Sequence, residues 1–466
     1  MILENYQKSE VKLNLKEQAL LMNESSSFTT SQSLLQQIAS LLLYQSVFDN
    51  EVGQAFISLL KTLSKDFNNS AISAIQGRGV SAPITALDCL QVYGYWFRTL
   101  AAQNQSWQDY LITQVLLDHN PFSQQVQTTP LEKLPSALID AVKHDLRILE
   151  QICQYDSKYF SKWVQVASQS TFTPISWQLK TSLDTFLHHH HDWTEAISDL
   201  ANYYRQHGTG IFAQYHALRW QEGKLLGISN PDLVQLTTII GYDLQKEALV
   251  KNTEFLLAGY PALHVLLYGS RGSGKSSLVK GLLSKYSHAG LRLIEVSKSE
   301  LKELPLIVEQ VRNLPQKFII FVDDLSFEED DDAFKALKVV LEGSLTARAN
   351  NTVVYATSNR RHLIREFFSD RPKLSDNDEV HAWDTVQEKL SFSDRFGLTL
   401  TFEPANQDTY LQIIKHLAQQ AKINLPQEQL EFRAKQWATR HNGRSGRTAR
   451  QFIDYLRAEL AFSRSD

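Results

Sequence analysis

The chain has 466 residues, enough for two or three domains, and its 43% apolar content can build a core in each. Two cysteines, Cys89 and Cys153, exclude a disulfide framework, no apolar run approaches the roughly 18 residues of a membrane span, and the opening MILENYQKSE lacks the basic-then-apolar order of a signal peptide. From the cysteine count and the lack of a span or signal order, a cytoplasmic protein without a membrane partner is expected, and a net charge of -4 argues against a strongly basic nucleic-acid surface.

Residues 1–28, ending after the polar stretch Asn23 to Ser27, are expected to form a flexible arm. Residues 29–225 read as an all-α domain. Ser31 to Val47 and Ser136 to Ile152 carry apolar residues at three- and four-residue spacing, and glycine or proline falls between such segments, as at Gly77, Gly79, Pro83 and Pro121. Four consecutive histidines, His188 to His191, suggest metal, but adjacent helical residues point in different directions, so the run is not expected to converge on one ion.

From residue 231 to 404 the pattern changes to short apolar strands alternating with helices. Strands are expected at Leu263–Tyr268, Leu291–Val296, Phe318–Val322, Thr352–Ala356 and Leu398–Phe402, with helices at Lys275–Tyr286, Pro305–Leu314 and Asp331–Leu345. Apolar strands joined by helices imply a parallel α/β sheet covered on both faces. Residues 405–466 return to helix, at Gln407–Gln420, Gln427–Arg440 and Gly446–Phe462, and read as a helical lid. This last segment holds 10 Lys+Arg against 6 Asp+Glu, whereas residues 1–230 hold 16 against 20.

The first strand runs into GSRGSGKS, Gly269-Ser270-Arg271-Gly272-Ser273-Gly274-Lys275-Ser276, followed by Ser277. The glycines let successive amides point into one concavity for phosphate, Lys275 supplies charge for the terminal phosphates, and the Ser276 hydroxyl can ligate Mg2+. The helix that follows adds its N-terminal dipole, so ATP is the expected ligand. Phe318 to Val322 ends in Asp323 and Asp324, the Walker B pattern: Asp323 is expected to hold Mg2+ and Asp324 to orient or deprotonate the attacking water. The next strand ends in Thr357, Ser358 and Asn359, and Asn359 is the candidate for positioning water between carboxylates and terminal phosphate. The acidic run Glu328 to Asp332 reads as a solvated helix start.

These motifs resemble an AAA+ P-loop ATPase with a C-terminal helical lid. FLLAGYPALHVLLYGSRGSGKSSLVK, FVDDLSFEE, YATSNRRHL, EKLSFSDRFGL and RSGRTARQF resemble more narrowly a bacterial AAA+ group, the domain of unknown function family 815, over roughly residues 235–462. The resemblance implies that Arg395 is an arginine finger reaching a neighbouring subunit, which implies a homo-oligomer. It further implies that Arg447 or Arg450 senses phosphate from the lid, and that Ile240, Gly241 and Tyr242 lie in the linker that packs against adenine. Asp324 departs from the commoner Glu and is about one bond shorter, which suggests slow or partner-dependent hydrolysis. Three functions follow as expectations: an ATP-hydrolysing remodeller of an unidentified protein client, an ATP-gated switch with little turnover, and a nucleic-acid loader resting on Arg360, Arg361, His362 and Arg365 with the basic lid.

Overall fold

The computed structural model describes residues 30–73, 86–179, 183–327, 332–342, 349–359, 392–441 and 443–462. The expected arm at 1–28, the glycines and proline at 77–83, the acidic residues 328–331 and the basic cluster at 360–365 lie outside the described residues. The chain divides into two compact units after Arg205. Among the described residues, no helix is long and apolar enough to cross a membrane.

The first unit is helical, with α1 (residues 30–39), α2 (Glu51–Ser73), α3 (Ala86–Gln103), α4 (Trp107–Leu117), α5 (Pro121–Gln125), α6 (Ser136–Cys153), α7 (Ser157–Ala167), α8 (Phe186–His189) and α9 (Ile197–His207). Its centre is aromatic. Phe56 of α2, Trp96 of α3, Trp107 of α4 and Phe160 of α7 are fully buried, with ring centroids 4.3 Å apart for Phe56–Trp107 and 5.6 Å for Trp96–Trp107. Such pairs add directional contact to the burial of large apolar areas.

The helix expected over Ser31–Val47 stops at residue 39 and resumes only as a 3-10 turn at Gln45–Phe48. The cause lies about a hundred residues away. The buried Asp145 carboxylate accepts the amides of Leu42 (3.0 Å), Leu43 (2.7 Å) and Tyr44 (3.0 Å), supplying those donors with a partner that a continuing helix would replace. The histidines do not converge either: His188 pairs with Thr185, His189 with Asp184 and His190 with Asp199.

The second unit is built on a seven-stranded sheet, β1 (Ala217–Gln221), β2 (Lys224–Gly227), β3 (Val265–Gly269), β4 (Leu291–Glu295), β5 (Lys317–Val322), β6 (Thr352–Ser358) and β7 (Leu398–Phe402), in the order β2-β1-β4-β5-β6-β3-β7. Every neighbouring pair is parallel except the β1–β2 hairpin. Its helices are α10 (Ile211–Gln214), α11 (Asp243–Leu257), α12 (Lys275–Tyr286), α13 (Leu304–Val311), α14 (Asp332–Glu342), α15 (Gln407–Gln420), α16 (Gln427–Arg440) and α17 (Gly446–Phe462). Alternate strand residues feed opposite faces. Leu266, Ile294, Ile320 and Val354 pack with α13 and α14, whereas Leu267, Leu293, Ile319 and Tyr355 pack with α11 and α12. The lid has its own core, in which Tyr410 and Ile414 of α15 meet Ala434 of α16 and Phe452 of α17.

Residues 206–225, read from sequence as the end of the helical domain, instead belong with the sheet, to which they contribute β1 and the start of β2. Arg292 of β4, fully buried, donates to the carbonyls of His207 (2.7 Å) and Phe212 (2.7 Å) and fastens this segment to the strand. The β1–β2 turn places Glu222 and Gly223 at positive φ, 51° and 75°, as a tight two-residue hairpin requires.

Candidate functional site

The C-terminal ends of β3, β5 and β6 lie side by side, and each ends in residues singled out from the sequence. At the end of β3, Gly269 has φ 132° and pairs with Phe402 of β7, where an added Cβ would sit 2.1 Å from the Phe402 carbonyl oxygen. Only glycine fits there without moving β7. Gly272 and Gly274 follow at φ 75° and 90°, and Gly274 caps α12. Ser273 is buried and donates to the Ser270 carbonyl, 2.8 Å, while Arg271 is exposed and Ser277 half-buried in the first turn of α12.

Lys275 is only 7% exposed, and its ammonium donates to the carbonyls of Gly269 (3.0 Å) and Ser270 (2.7 Å) and to Asn359 Oδ1 (3.4 Å). Burial pushes its pKa below the usual lysine value; Asp323 and Asp324 oppose that shift and Arg447 adds to it. Ser276 donates to Asp323 Oδ1 at 2.7 Å, and Asn359 Nδ2 donates to Asp324 Oδ1 at 2.6 Å. The Asn359 amide thus turns its oxygen toward the lysine and its NH2 toward the carboxylate. The Lys275 ammonium, the Ser276 hydroxyl and two exposed carboxylates share one sheet edge, a set whose chemistry fits a triphosphate with a hard, oxygen-ligated divalent cation.

The linker and lid complete the surroundings. Residues 232–242 cross α12: Leu236 lies where a Cβ on Gly281 would be 2.6 Å from it, and Asp232 pairs with Lys280. Ile239 is the linker side chain nearest Gly274, 3.7 Å from where its Cβ would be, beside half-buried Ile240. Tyr242, in the left-handed region at φ 57°, packs on Phe402 at 5.0 Å and donates to the Glu403 carbonyl. From the lid, the Arg447 amide approaches the Gly272 carbonyl at 3.4 Å, and a Cβ on Gly272 would meet Ser445 Oγ at 2.9 Å. Arg450 is exposed one turn further along α17.

Arg395 stands apart from this cluster. It ends a 3-10 turn before β7, whose first residue, Leu398, pairs with Val265 at the opposite end of β3 from Gly269. Its guanidinium is engaged with Glu342 at the end of α14.

Sequence reasoning missed three contributors: Ile239, the Ser445–Gly446 approach to Gly272, and the hydroxyl of Thr357. Ser445 carried a readable signal, since it caps α17 by accepting the Thr448 amide at 3.1 Å and serine is favoured in that place. Ile239 and Thr357 carried none beyond their positions next to expected site residues.

A glycine-rich loop after β3, which lies between β6 and β7 in the parallel run β1-β4-β5-β6-β3-β7, paired carboxylates after β5, two strands away, and a helical lid beyond define a P-loop protein of the AAA+ class. The family described as protein of unknown function (DUF815) matches residues 213–460, and the chain belongs to that family. The match begins at residue 213 and so takes in the β1–β2 hairpin. No curated protein matches the chain. Among solved structures, it is similar to the RuvB Holliday junction branch migration motor of Thermotoga maritima, at 13% identity and TM-score 0.30 over 48% of this chain and 72% of that one. It is similar also to the FIGL-1 AAA domain in complex with ADP, at 19% identity and TM-score 0.33 over 48% and 73%.

Proposed function

We propose that the chain binds ATP with Mg2+ and hydrolyses it, coupling nucleotide state to the handling of a protein client. The observation that carries this reading is the hydrogen-bonded convergence of Lys275, Ser276, Asp323, Asp324 and Asn359 on one sheet edge. In this reading the amides from Gly269 to Gly274 and the Lys275 ammonium hold the phosphates. Ser276 and Asp323 hold the metal, whose charge when bound neutralises that developing on the phosphate oxygens. Asp324 and Asn359 orient the attacking water, Tyr242 with the Ile239–Ile240 pair lies beside the base, and Arg447 lies beside the phosphates from the lid. Arg395 acts across a homo-oligomer contact, and the helical unit recognises the client.

The test is nucleotide binding and phosphate release by the full chain and by Lys275→Ala. We expect a loss of at least tenfold in MgATP affinity in the variant, and a phosphate-release rate that depends on Lys275. Wild-type protein with no measurable nucleotide affinity at millimolar MgATP would refute the proposal. One observation favours a slow switch over a fast motor. The Asp324 carboxylate and the Asn359 amide are engaged with each other, so turnover is expected to rise when a partner or oligomer contact turns the pair together toward an attacking water. Robust turnover by the isolated chain would remove the switch reading.

A further inference from the structure

Thr357 lies two residues before Asn359 on β6 and is 2% exposed. Its single hydroxyl makes two bonds, one to each acid at the end of the neighbouring strand. It donates to Asp323 Oδ1 and accepts the backbone amide of Asp324 at 3.0 Å. The Thr357 carbonyl then accepts the Leu325 amide at 2.7 Å. Between those two amides the chain turns through Asp324 at φ 52°, a conformation that costs an L-residue about 1–2 kcal/mol and persists where its surroundings hold it.

We infer that Thr357 is a positioning residue for both Walker B acids: its hydroxyl fixes the Asp323 oxygen that faces Ser276 and clamps the left-handed turn that presents Asp324 to Asn359. The chemistry follows from the inventory of one hydroxyl, which has one proton to give and lone pairs to accept with. Ser276 and Thr357 both donate to the same Asp323 oxygen, Ser276 at 2.7 Å. When the Ser276 hydroxyl is used by a metal, Thr357 is the donor that keeps Asp323 in place. The Asp324 amide is the second half of the clamp. With the hydroxyl gone, the turn keeps only the bond from the Leu325 amide to the Thr357 carbonyl, and the Asp324 carboxylate loses its fixed direction.

This inference rests on the ATP and Mg2+ reading above, and the experiment separates the two. Affinity for a fluorescent ATP analogue is measured with excess Mg2+ and with chelator, for wild type, Thr357→Val and Thr357→Ser. Valine keeps the shape and removes the hydroxyl; serine keeps the hydroxyl and removes the methyl. We expect chelator affinity within about twofold of wild type in both variants. The gain in affinity on adding Mg2+ should be lost by at least tenfold in Thr357→Val and kept within about threefold in Thr357→Ser, with phosphate release following the same order. A full Mg2+ gain in Thr357→Val overturns the inference. So does a tenfold loss in Thr357→Ser, which holds whether or not the valine variant folds. Wild type that binds no nucleotide, with or without Mg2+, overturns the ATP reading and this inference with it; a wild type that binds while Thr357→Val keeps its gain overturns the inference alone.

Discussion

Replacing Gly269 by alanine should open the phosphate loop from its base. The added Cβ would lie 2.1 Å from the Phe402 carbonyl oxygen and 2.9 Å from the Phe402 nitrogen, and both are backbone atoms that no rotamer change can withdraw. Ordinary contact requires β7 to retreat by more than about 1 Å. That retreat breaks the 2.8 Å bond from the Ser270 amide to the Phe402 carbonyl, worth roughly 1 kcal/mol, and weakens the ladder beside it by about as much. Positive φ adds about 1–2 kcal/mol of strain, for a total of roughly 3–4 kcal/mol. Gly259→Ala is the matched control, because Gly259 has φ 81° but nothing within 4 Å of its missing Cβ, so only the strain should appear. Hydrogen exchange read on peptides spanning β3 and β7 measures the difference as a local opening free energy. Exchange at the Ser270 amide should be roughly 30-fold faster in Gly269→Ala than in Gly259→Ala, which corresponds to about 2 kcal/mol. Equal protection in the two variants would show that the approach of β7 does not hold the loop, and the reasoning would be wrong.

The two lid arginines should separate cleanly. Arg447 approaches Gly272 through its amide and acts electrostatically on Lys275, so Arg447→Ala should weaken MgATP binding by about tenfold while Arg450→Ala stays within about twofold; the reverse order in a binding titration would refute the assignment. In the helical unit, burial pushes the Asp118 pKa up to about 6, with hydrogen bonds from Ser46 and Asn120 opposing and the charges of Asp145 and Asp49 adding. Its folded value exceeds the ordinary 3.8, so the folded state binds the proton more tightly. The stability Asp118 contributes is therefore full below about pH 4 and is lost, by about 3 kcal/mol, as pH rises through about 6. Asp118→Asn, which does not ionise, should remove that slope and stabilise the unit at pH 7. Exchange protection of the α4 peptides at pH 4.5 and 7 checks it, and a wild-type slope in the variant would contradict it.

What could be read from the sequence was whatever local chemistry decides. The α15 start at Gln407 is set by Asn406, which accepts the Thr409 amide at 2.8 Å, and the β5 run of buried apolar residues ends where Asp323 begins. What could not be read depends on distant partners. Asp145 ends a helix about a hundred residues earlier in the chain, Arg292 draws residues 207–212 onto the sheet, and Glu342 takes Arg395. The strands β1 and β2 are five and four residues long, too short for alternation to stand out, and their Glu222–Gly223 turn lacks the usual Asn or Asp before glycine.

Asp324 belongs to both groups. Its identity and place after an apolar strand are local facts, and they suggested a carboxylate about one bond short of the glutamate more usual there. That comparison presumes the Cβ direction of a residue continuing the strand. At φ 52° the Cβ leaves the backbone in a different direction, and the turn that sets it is held by two bonds from Thr357. Reach toward an attacking water is the sum of backbone direction and side-chain length, so a shorter side chain on a rotated backbone is not equivalent to a truncated glutamate. Asp324→Glu is then expected to lower turnover rather than raise it, because the longer chain on the same turn would overshoot the 2.6 Å bond with Asn359; a severalfold faster phosphate release in that variant would show that length, not direction, limits the site.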